Sequence, residues 1–347
     1  MLRWMLRLLL VLVIVIAGLL APVAYTELAC TAPVKPDSYD ATLPPEHHRN
    51  EGRTLLTYPE WHIVHAYDDY AHVIRDADPH DYAYLPAITG YWSSLCALTS
   101  AAADHGGVPT ATKQLVYTIG VSFTAELLAK AAYEETLGRL FTALRGPTHA
   151  PLDELTAQQA ADYAQFLQQV PWYKWDFTAA RAALSAAATD VLRDRERNVA
   201  IGLEYRFKAA YAGVIAAAVD SVGADQLTLR MIVTGLTPDQ LAQIDGVTVI
   251  GPRSDGIEIE TPRYRALTRL LRDMALNGAD FTEIAGNDDI LFTATSLFPQ
   301  ADGALFSFAR QGYGDTRHLF LVKVRELAGR IRAMQSTQMT LEHVHDY

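Results

Sequence analysis

Four side chains that can bind a metal ion lie at helical spacing in one short segment: His62, His65, Asp69 and His72. Steps of three and four residues place side chains on one face of a helix. Neutral imidazole and carboxylate are good ligands for a divalent transition metal, so these groups are candidate metal ligands. One helix rarely supplies a whole coordination sphere, and later histidines are available to complete it: His318, His343 and His345. The alternative, which the amphipathic pattern favours, is a solvated helix face on which the histidines are ordinary polar residues.

A second set of titratable residues occurs twice with the same spacing: Glu126, Lys130 and Tyr133, then Glu204, Lys208 and Tyr211. Each set lies in a long apolar segment, residues 115–141 and 199–219, and we expect both segments to be central helices of one domain. Burial disfavours the charged forms of a Glu–Lys pair and pairing favours them, so these residues are candidates for acid–base catalysis. The alternative is an ordinary helix-stabilising pair, because Glu and Lys four residues apart interact on a helix surface. We predict that both carboxylates lie inside the domain, with the two lysines as their nearest cations and the apolar residues around them leaving few directions open to water.

The sequence lacks the motifs of the common enzyme classes, including G-x-x-x-x-G-K-[ST], G-x-G-x-x-G, H-E-x-x-H, G-x-S-x-G and C-x-x-C. Two functions therefore stay open. The first, which we favour, is a non-enzymatic binding or assembly protein anchored to a membrane. The second is a metal-dependent or acid–base enzyme that uses the histidine-bearing helix face or the two Glu-Lys-Tyr sets. The sequence specifies no cofactor, and its net charge of −11 argues against a nucleic-acid partner.

The N-terminal segment has the pattern of a membrane anchor. Arg3 and Arg7 precede residues 8–25, which contain no charged side chain, and 18 residues are close to the minimum for crossing ~30 Å of hydrocarbon. The next basic residue is Lys35, so the positive-inside rule places the N-terminus in the cytoplasm and the rest outside, in the periplasm of a Gram-negative cell. The alternatives are a cleaved signal peptide and a multi-pass protein, in which residues 115–133 and 199–219 would carry charges into hydrocarbon.

The pattern of helices and strands predicts an α+β chain in five parts. These are a transmembrane anchor (1–25), a Pro-rich stalk (26–54), a helical domain (55–222), a ferredoxin-like module (223–298) and a C-terminal extension (299–347) with a helix over 319–334. The helical domain should start at a capping box formed by Thr57 and Glu60. The order β-α-β-β-α-β, with an extra strand over 290–295, predicts the ferredoxin-like module, which we expect to bind any protein partner or small ligand. Its predicted core residues are Leu229, Met231, Val233, Ile257, Leu267, Leu270, Leu271 and Phe281.

The chain has two cysteines, Cys30 and Cys96. Both fall in the part that we expect to be exported, where a cysteine pair can form a disulfide. The bond would tie the stalk to the second helix of the helical domain. The alternative is two unrelated thiols, one in a linker and one in a helix.

Overall fold

The computed structural model describes residues 2–220 and 227–345, and it combines helices with two small antiparallel sheets. The predicted boundary between helical domain and module, at 222/223, lies outside the described residues. The described helices are α1 (Leu2–Ala29), α2 (Glu51–Leu55), α3 (Tyr58–Asp76), α4 (Tyr84–Ala102), α5 (Thr110–Tyr133), α6 (Arg139–Arg145), α7 (Pro151–Leu167), α8 (Phe177–Ala187), α9 (Leu192–Asp220), α10 (Pro238–Ala242), α11 (Tyr264–Leu276) and α12 (Val324–Met334). The described strands are β1 (Thr228–Thr234), β2 (Thr248–Arg253), β3 (Gly256–Pro262), β4 (Asp280–Ile284), β5 (Asp289–Ser296), β6 (Phe306–Ala309), β7 (Thr316–Lys323) and β8 (Met339–His345).

Two helical segments are long and apolar enough to cross a membrane, judged by length and composition alone. The first is Arg3–Ala29, with a mean hydropathy of 2.8, and the second is Thr110–Arg145, with a mean hydropathy of 1.3. In α1 residues 3–18 are exposed, whereas Thr26 near its end is buried against the helical domain. The chain therefore has an N-terminal apolar helix long enough to span a bilayer, and only the last part of that helix packs on the rest of the molecule.

Helix α3 starts differently from our prediction. The hydroxyl of Thr57 donates to the carbonyl of Thr54 at 2.8 Å instead of capping the helix, and Thr57 itself has helical backbone angles. The predicted capping box with Glu60 is therefore wrong. The physical reason is that α2 directly precedes α3. Thr57, the residue before α3, therefore already has helical backbone angles, and the first amides of α3 donate to backbone carbonyls.

The packing of α9 also corrects the sequence analysis. Val199, Leu203 and Phe207, which we expected to help bury this helix, are between 65% and 74% exposed. Their four-residue spacing puts them on one face, and the opposite face carries the partly buried Glu204 and the buried Lys208. Helix α9 thus turns Glu204 and Lys208 towards the domain, whereas Val199, Leu203 and Phe207 face outward.

Sheet 1 has the strand order β2-β3-β1-β4, and every neighbouring pair in it is antiparallel. Of the predicted core residues, Ile257 and Leu270 are partly buried against this core. The others are fully buried in it: Leu229, Met231, Val233, Leu267, Leu271 and Phe281. The predicted extra strand over 290–295 exists as β5, but it pairs with β7 and β8 in the other sheet.

Sheet 2 has the order β6-β7-β5-β8, again with antiparallel neighbours, and was not predicted as a sheet. The helix predicted over 319–334 begins only at Val324, because residues up to Lys323 form β7. Both faces of β7 are covered: Phe320 packs in the core with α11 and α12, and Leu319 packs against the helical domain. A strand buried on both faces reads as a continuous apolar run, which periodicity cannot distinguish from a helix.

The segment predicted to be a stalk is docked along the folded part. The carboxylate of Glu283, which is fully buried at the end of β4, accepts hydrogen bonds from the Tyr39 hydroxyl at 2.7 Å, the Thr42 amide at 2.7 Å and the Leu43 amide at 2.9 Å. At the start of this segment, Cys30 forms a disulfide with Cys96 of α4, with their Cα atoms 5.1 Å apart. The end of α1 is therefore tied both covalently and by hydrogen bonds to the body of the protein.

Candidate functional site

Sheet 2 presents one face to α3, and strand periodicity decides which side chains lie on it. Successive residues of a strand point to opposite faces. In β5, Ile290 and Phe292 belong to the core with α11 and α12, so Leu291 between them faces α3. Leu291 is in register with Leu321 of β7 and His345 of β8. By the same alternation, the polar residues on the α3-facing side are Thr293, Arg317, His343 and His345.

Glu342 reaches this region beside a β-bulge. The pairing of β5 with β8 shifts register between Thr293 and Ala294, which leaves Glu342 without a ladder partner of its own. Its carboxylate accepts hydrogen bonds from Nε of Arg317 at 2.5 Å and from Nη2 at 2.6 Å. Nε2 of His65 lies 3.9 Å from the same carboxylate. The bidentate pair holds a fully buried guanidinium in a fixed orientation beside the histidines.

Helix α3 buries a series of aromatic and polar side chains against this face: Tyr58, Trp61, His62, His65 and Asp69. The expectation of a solvated helix face is therefore wrong for His62, His65 and Asp69. For His65 and Asp69 the reason is sheet 2 with the loop between β6 and β7, which the sequence did not reveal, whereas His62 is covered by α4. His72 lies one turn further on, is only partly buried and stacks on Tyr313 with ring centroids 3.9 Å apart.

We call His65, His343 and His345 the histidine cluster. The rings of His343 and His345 have centroids 4.9 Å apart. Trp61 stacks on His343 at 3.5 Å and Tyr58 meets the His345 ring edge-on at 5.2 Å. Nδ1 of His343 is 3.0 Å from the hydroxyl of Thr268 on α11, so only the other ring nitrogen of His343 faces the cluster. The rings are thus fixed by aromatic packing from α3 and by one hydrogen bond from behind.

Many buried polar atoms at this place have no hydrogen-bond partner among the described residues. They are Tyr58 Oη, His65 Nε2, Asp69 Oδ1, Arg317 Nη1, His343 Nε2 and both ring nitrogens of His345. An unsatisfied buried polar group costs about 1–3 kcal/mol, and native proteins contain few of them. Their concentration around one cluster indicates a place where a further species, either an ion or ordered water, completes the hydrogen-bonding or coordination shell.

The cluster histidines are held neutral. Burial lowers the pKa of His345 to about 3 and the pKa of His65 and His343 well below the ordinary histidine range, and the neighbouring Arg317 guanidinium adds to the effect at His65 and His345. Neutral imidazole is the form of histidine that binds metal ions, because its free ring nitrogen carries a lone pair. These side chains therefore need no deprotonation at neutral pH before they act as ligands.

The charged groups around the cluster leave an excess of negative charge. Arg310 contacts three carboxylates at 3.1–3.8 Å and Arg317 contacts one. The charged residues of this region are the guanidiniums of Arg265, Arg310 and Arg317 and the carboxyls of Asp68, Asp69, Asp315 and Glu342. With all of them ionised, one negative charge remains uncompensated. Burial raises the pKa of Asp69 to about 7, and a cation bound nearby would favour its ionised form.

The arrangement of the cluster is suited to two imidazoles sharing one ion. Two imidazoles on one zinc ion, with Zn–N bonds of ~2.0–2.1 Å, have ring centroids about 5 Å apart, close to the separation seen here. In the part of the chain that is described, no three ligand atoms of this cluster all lie within 4.8 Å of one another, so a third ligand is not yet in place to share the ion. A bound ion would draw His65 or a carboxylate inward by side-chain rotation.

The other histidines considered in the sequence analysis lie apart from the cluster. Nε2 of His62 is 2.8 Å from the carbonyl oxygen of Ala87 on α4, and burial lowers the pKa of His62 to about 4. His318 points to the opposite face of sheet 2, where both ring nitrogens are hydrogen-bonded, to Ser296 at 2.9 Å and Ser307 at 2.8 Å. Both ring nitrogens of His318 are thus hydrogen-bonded. Nδ1 of His62 has no hydrogen-bond partner among the described residues.

The two Glu-Lys-Tyr sets meet at the centre of the helical domain, but their ion pairs cross between helices. Nζ of Lys208 lies 2.8 Å from Glu126 on α5 and 3.0 Å from Glu204 on its own helix. Nζ of Lys130 lies 3.4 Å from Glu204, whereas the pair within α5 that the sequence suggested is replaced by these cross-helix contacts. Tyr67 of α3 donates to Glu126 at 2.6 Å. We call Glu126, Lys130, Glu204 and Lys208 the charged network.

The charged network is electrostatically balanced. Burial alone would raise the pKa of Glu204, but Lys130 and Lys208 outweigh it and lower that pKa to about 2. The Glu126 and Glu204 side chains retain 30% and 21% of their exposure, so neither is largely solvent-exposed. Two carboxylates and two ammonium groups in mutual contact are a satisfied set, which is typical of structural ion pairs. The network therefore offers weaker support for proton chemistry than its sequence pattern suggested.

The two tyrosines of the Glu-Lys-Tyr sets lie outside the charged network. The hydroxyl of Tyr133 donates to Glu196 near the start of α9. Tyr211 stacks on Trp172, with ring centroids 5.4 Å apart. Tyr67, which belongs to neither set, supplies a hydroxyl from α3 to Glu126 instead.

No family model, curated protein or solved structure matches this chain. The function is therefore inferred from the geometry of the site. Sequence reasoning found His62, His65 and Asp69 and named His343 and His345 as available ligands, but it missed Arg317, Glu342 and Tyr58. The H-x-H spacing of His343 and His345 was the available signal, because alternate residues of a strand share a face.

Proposed function

We propose that this chain is a membrane-anchored, extracytoplasmic binding protein whose ligand is a divalent transition-metal ion held at the histidine cluster. The observation that carries the proposal is the set of buried, neutral imidazole nitrogens at His65, His343 and His345 that have no hydrogen-bond partner among the described residues. Imidazole nitrogens in this form are the usual ligands of zinc and neighbouring first-row metals. Glu342 is a carboxylate beside this set, with one oxygen 3.9 Å from Nε2 of His65.

The charge balance supports a cation over an anion. Three guanidiniums face four carboxylates, and Arg317 is already engaged by Glu342 in a bidentate pair. An anion entering this region would add to uncompensated negative charge in a poorly solvated place, which is strongly unfavourable. Ordered water is the competing occupant, since a buried water with two to four polar partners would satisfy the same atoms.

Burial supports binding over catalysis. His345 and Arg317 are fully buried, and His65 and His343 are less than one-tenth exposed. A substrate would need an opening between α3 and sheet 2 to reach an ion at this place, whereas an ion held for binding or for structure needs none once it has entered. The second candidate, a metal-dependent enzyme, uses the same ligands and differs from the first in requiring that opening.

The membrane topology and the module belong to the same proposal. The two arginines before the apolar span support a cytoplasmic N-terminus and an extracytoplasmic body, with a single pass through the membrane. For residues 228–284 we propose a ferredoxin-like module as the place for a protein partner. The element order β1-α10-β2-β3-α11-β4, with β1 hydrogen-bonded between β3 and β4, supports this assignment.

The metal proposal is tested on the full chain in detergent micelles, purified without a histidine tag and stripped with a chelator. Titration with Co²⁺, followed by its visible absorption, reports nitrogen ligands directly, and Zn²⁺ competition gives the affinity. We expect His345→Asn and His65→Asn to weaken binding by at least about 100-fold, since even outer-shell changes cost 10–100-fold. His72→Asn is the matched control, because His72 lies on the same helix outside the cluster, and it should bind like the parent. Equal affinity for the parent and His345→Asn would contradict the proposal and leave water as the occupant.

A further inference from the structure

A second group of ligand-type side chains lies at the junction of three elements, away from the histidine cluster. Glu51 starts α2, His105 follows α4, and Asp289 starts β5, and one ligand atom from each lies within 4.8 Å of the other two. Nδ1 of His105 is 3.5 Å from Oε2 of Glu51 and 3.7 Å from Oδ2 of Asp289. Two donors on one tetrahedral zinc ion, with bonds of ~2.0–2.2 Å, are about 3.3–3.5 Å apart. The three atoms are thus nearly at the spacing that one ion requires.

The group is built rigidly. Oε1 of Glu51 accepts a hydrogen bond from the amide of Asp289 at 3.0 Å, which orients the carboxylate and turns Oε2 towards His105. The Glu51 residue is only 2% exposed, and its Oε2 has no hydrogen-bond partner in the described chain. Next to it, Gly52 packs so tightly on Gly107 that a Cβ atom would stand 2.0 Å from the Gly107 carbonyl oxygen. This contact fixes α2 against the loop that carries His105.

The local charge favours a cation. Nζ of Lys323 contacts Asp289 at 2.6 Å and Asp288 at 2.9 Å. With His105 neutral, the three carboxylates of Glu51, Asp288 and Asp289 outnumber the ammonium group of Lys323. The Lys323 side chain is 52% exposed, so it can turn to Asp288 and solvent when another cation binds Asp289.

We propose that Glu51, His105 and Asp289 form a second metal site, which binds one divalent first-row ion such as Zn²⁺ through two carboxylate oxygens and Nδ1 of His105. Three protein ligands leave a fourth position for water, and mixed imidazole and carboxylate ligands suit zinc and manganese. The site joins α2, the end of α4 and the first residue of β5, so its ion would fasten the helical domain to sheet 2. This inference does not depend on the histidine cluster, which shares none of its ligands.

The competing explanation is a protonated His105 that bridges two carboxylates without any metal. A comparison within the chain shows why the ion is the better account. The group Asp78, His80 and Asp81 also has three ligand atoms close together, but Asp78 is held by Arg145 through bonds of 2.9 Å, and Asp81 accepts from the Asp78 amide at 3.0 Å. The two carboxylates of that group are explained by an ion pair and a helix cap, although Nδ1 of His80 also lacks a hydrogen-bond partner in the described chain. At the Glu51 site the carboxylate oxygen Oε2 is buried with its residue, and its contact is Nδ1 of His105 at 3.5 Å, longer than an ordinary hydrogen bond.

The experiment measures Zn²⁺ and Mn²⁺ binding to the chelator-treated, untagged full chain by calorimetry and by elemental analysis after gel filtration. We expect Glu51→Gln to remove one equivalent and to weaken binding at this site by at least about 100-fold. The matched control is His80→Gln, in the group explained by other contacts, which should bind like the parent. Lys323→Gln should bind about tenfold more tightly, the size of an outer-shell effect, because it removes the cation that competes for Asp289.

The outcomes separate the two sites and the two explanations. Loss of one equivalent in Glu51→Gln, with the Co²⁺ spectrum of the histidine cluster unchanged, supports the second site whether or not the cluster binds metal. Unchanged stoichiometry in Glu51→Gln, or an affinity in Lys323→Gln equal to that of the parent, overturns it in favour of the protonated bridge. Near-ultraviolet circular dichroism of each variant checks the fold, and Asp289→Asn, which keeps side-chain shape, repeats the test if Glu51→Gln is unfolded.

Discussion

Replacing Lys208 by methionine perturbs the charged network at its most connected residue. Its Nζ lies 2.8 Å from Glu126 and 3.0 Å from Glu204, and the residue is 8% exposed. Methionine preserves the length and the apolar stem of the side chain, so packing against Tyr67 and Tyr163 is largely kept. The substitution leaves two partly buried carboxylates facing each other, with Lys130 as the remaining ammonium group of the charged network.

The expected loss of stability follows from the same contacts. Against the effect of burial, Lys130 and Lys208 lower the pKa of Glu204 from 4.5 to about 2. The two ammonium groups therefore stabilise the ionised carboxylate by more than its burial destabilises it, and Lys208 is one of the two. Glu126 loses its lysine partner as well, and breaking a buried ion pair by removing one member costs about 3–5 kcal/mol. We therefore expect Lys208→Met to lower the free energy of unfolding by about 3 kcal/mol, a large part of the usual 5–15 kcal/mol.

Urea denaturation of the full chain in a mild detergent, followed by circular dichroism, measures this loss. Arg139→Met is the control, because Arg139 forms an exposed pair with Glu135 that is worth about 0.5 kcal/mol or less. A double-mutant cycle with Glu126→Gln should give a coupling energy of about 1–3 kcal/mol. If Lys208→Met is as mild as the control and the coupling is near zero, the network is a solvated surface feature and our reasoning about the domain centre is refuted.

Three further predictions concern the disulfide, acid sensitivity and the docked segment. Replacing both cysteines by alanine should lower stability by up to about 4 kcal/mol, because the bond closes a loop of 66 residues; an unchanged denaturation midpoint would contradict this. Burial lowers the pKa of His62 to about 4 and of His345 to about 3, so below about pH 6.5 the unfolded metal-free chain takes up protons that the folded chain does not. Burial raises the pKa of Asp69 to about 7, so the folded chain takes up a proton there, which offsets the proton uptake of roughly one histidine in the unfolded chain. The free energy of unfolding should therefore fall by about 1.4 kcal/mol per pH unit or more between pH 6.5 and 5. A flat profile would count against neutral buried imidazoles. Glu283→Gln should release the docked segment and speed proteolysis near residue 39, whereas equal cleavage rates would show that other contacts hold it.

Local sequence rules identified much of the architecture. The apolar N-terminal helix with its uncharged residues 8–25, the antiparallel strands of sheet 1 and six of its core residues were visible as runs and alternations. Sheet 2 was not, because β7 is buried on both faces and β8 ends the described chain without an apolar alternation. Short strands gain stability from partners distant in sequence, and that contribution is absent from a local pattern.

The candidate site also depends on partners distant in sequence, which a local pattern does not reveal. His65 and Asp69 were recognised by type and spacing, but a helix face looks solvated in sequence until its partner surface is known. Sheet 2 supplies that surface, and with it Arg317 and Glu342, which lie about 250 residues further along the chain than α3. The charged network was located correctly as a region, and its Glu204–Lys208 pair lies within α9, but the other two pairs join α5 to α9.

X-ray absorption spectroscopy at the zinc edge tests the central claim most directly. The sample is the untagged full chain with Glu51→Gln, which silences the second proposed site, loaded with one equivalent of Zn²⁺. We predict multiple scattering from two or more imidazoles with Zn–N distances of ~2.0–2.1 Å, and its loss in the same chain carrying His345→Asn. A spectrum with only oxygen ligands, or one that His345→Asn leaves unchanged, would contradict the assignment of a metal ion to His65, His343 and His345.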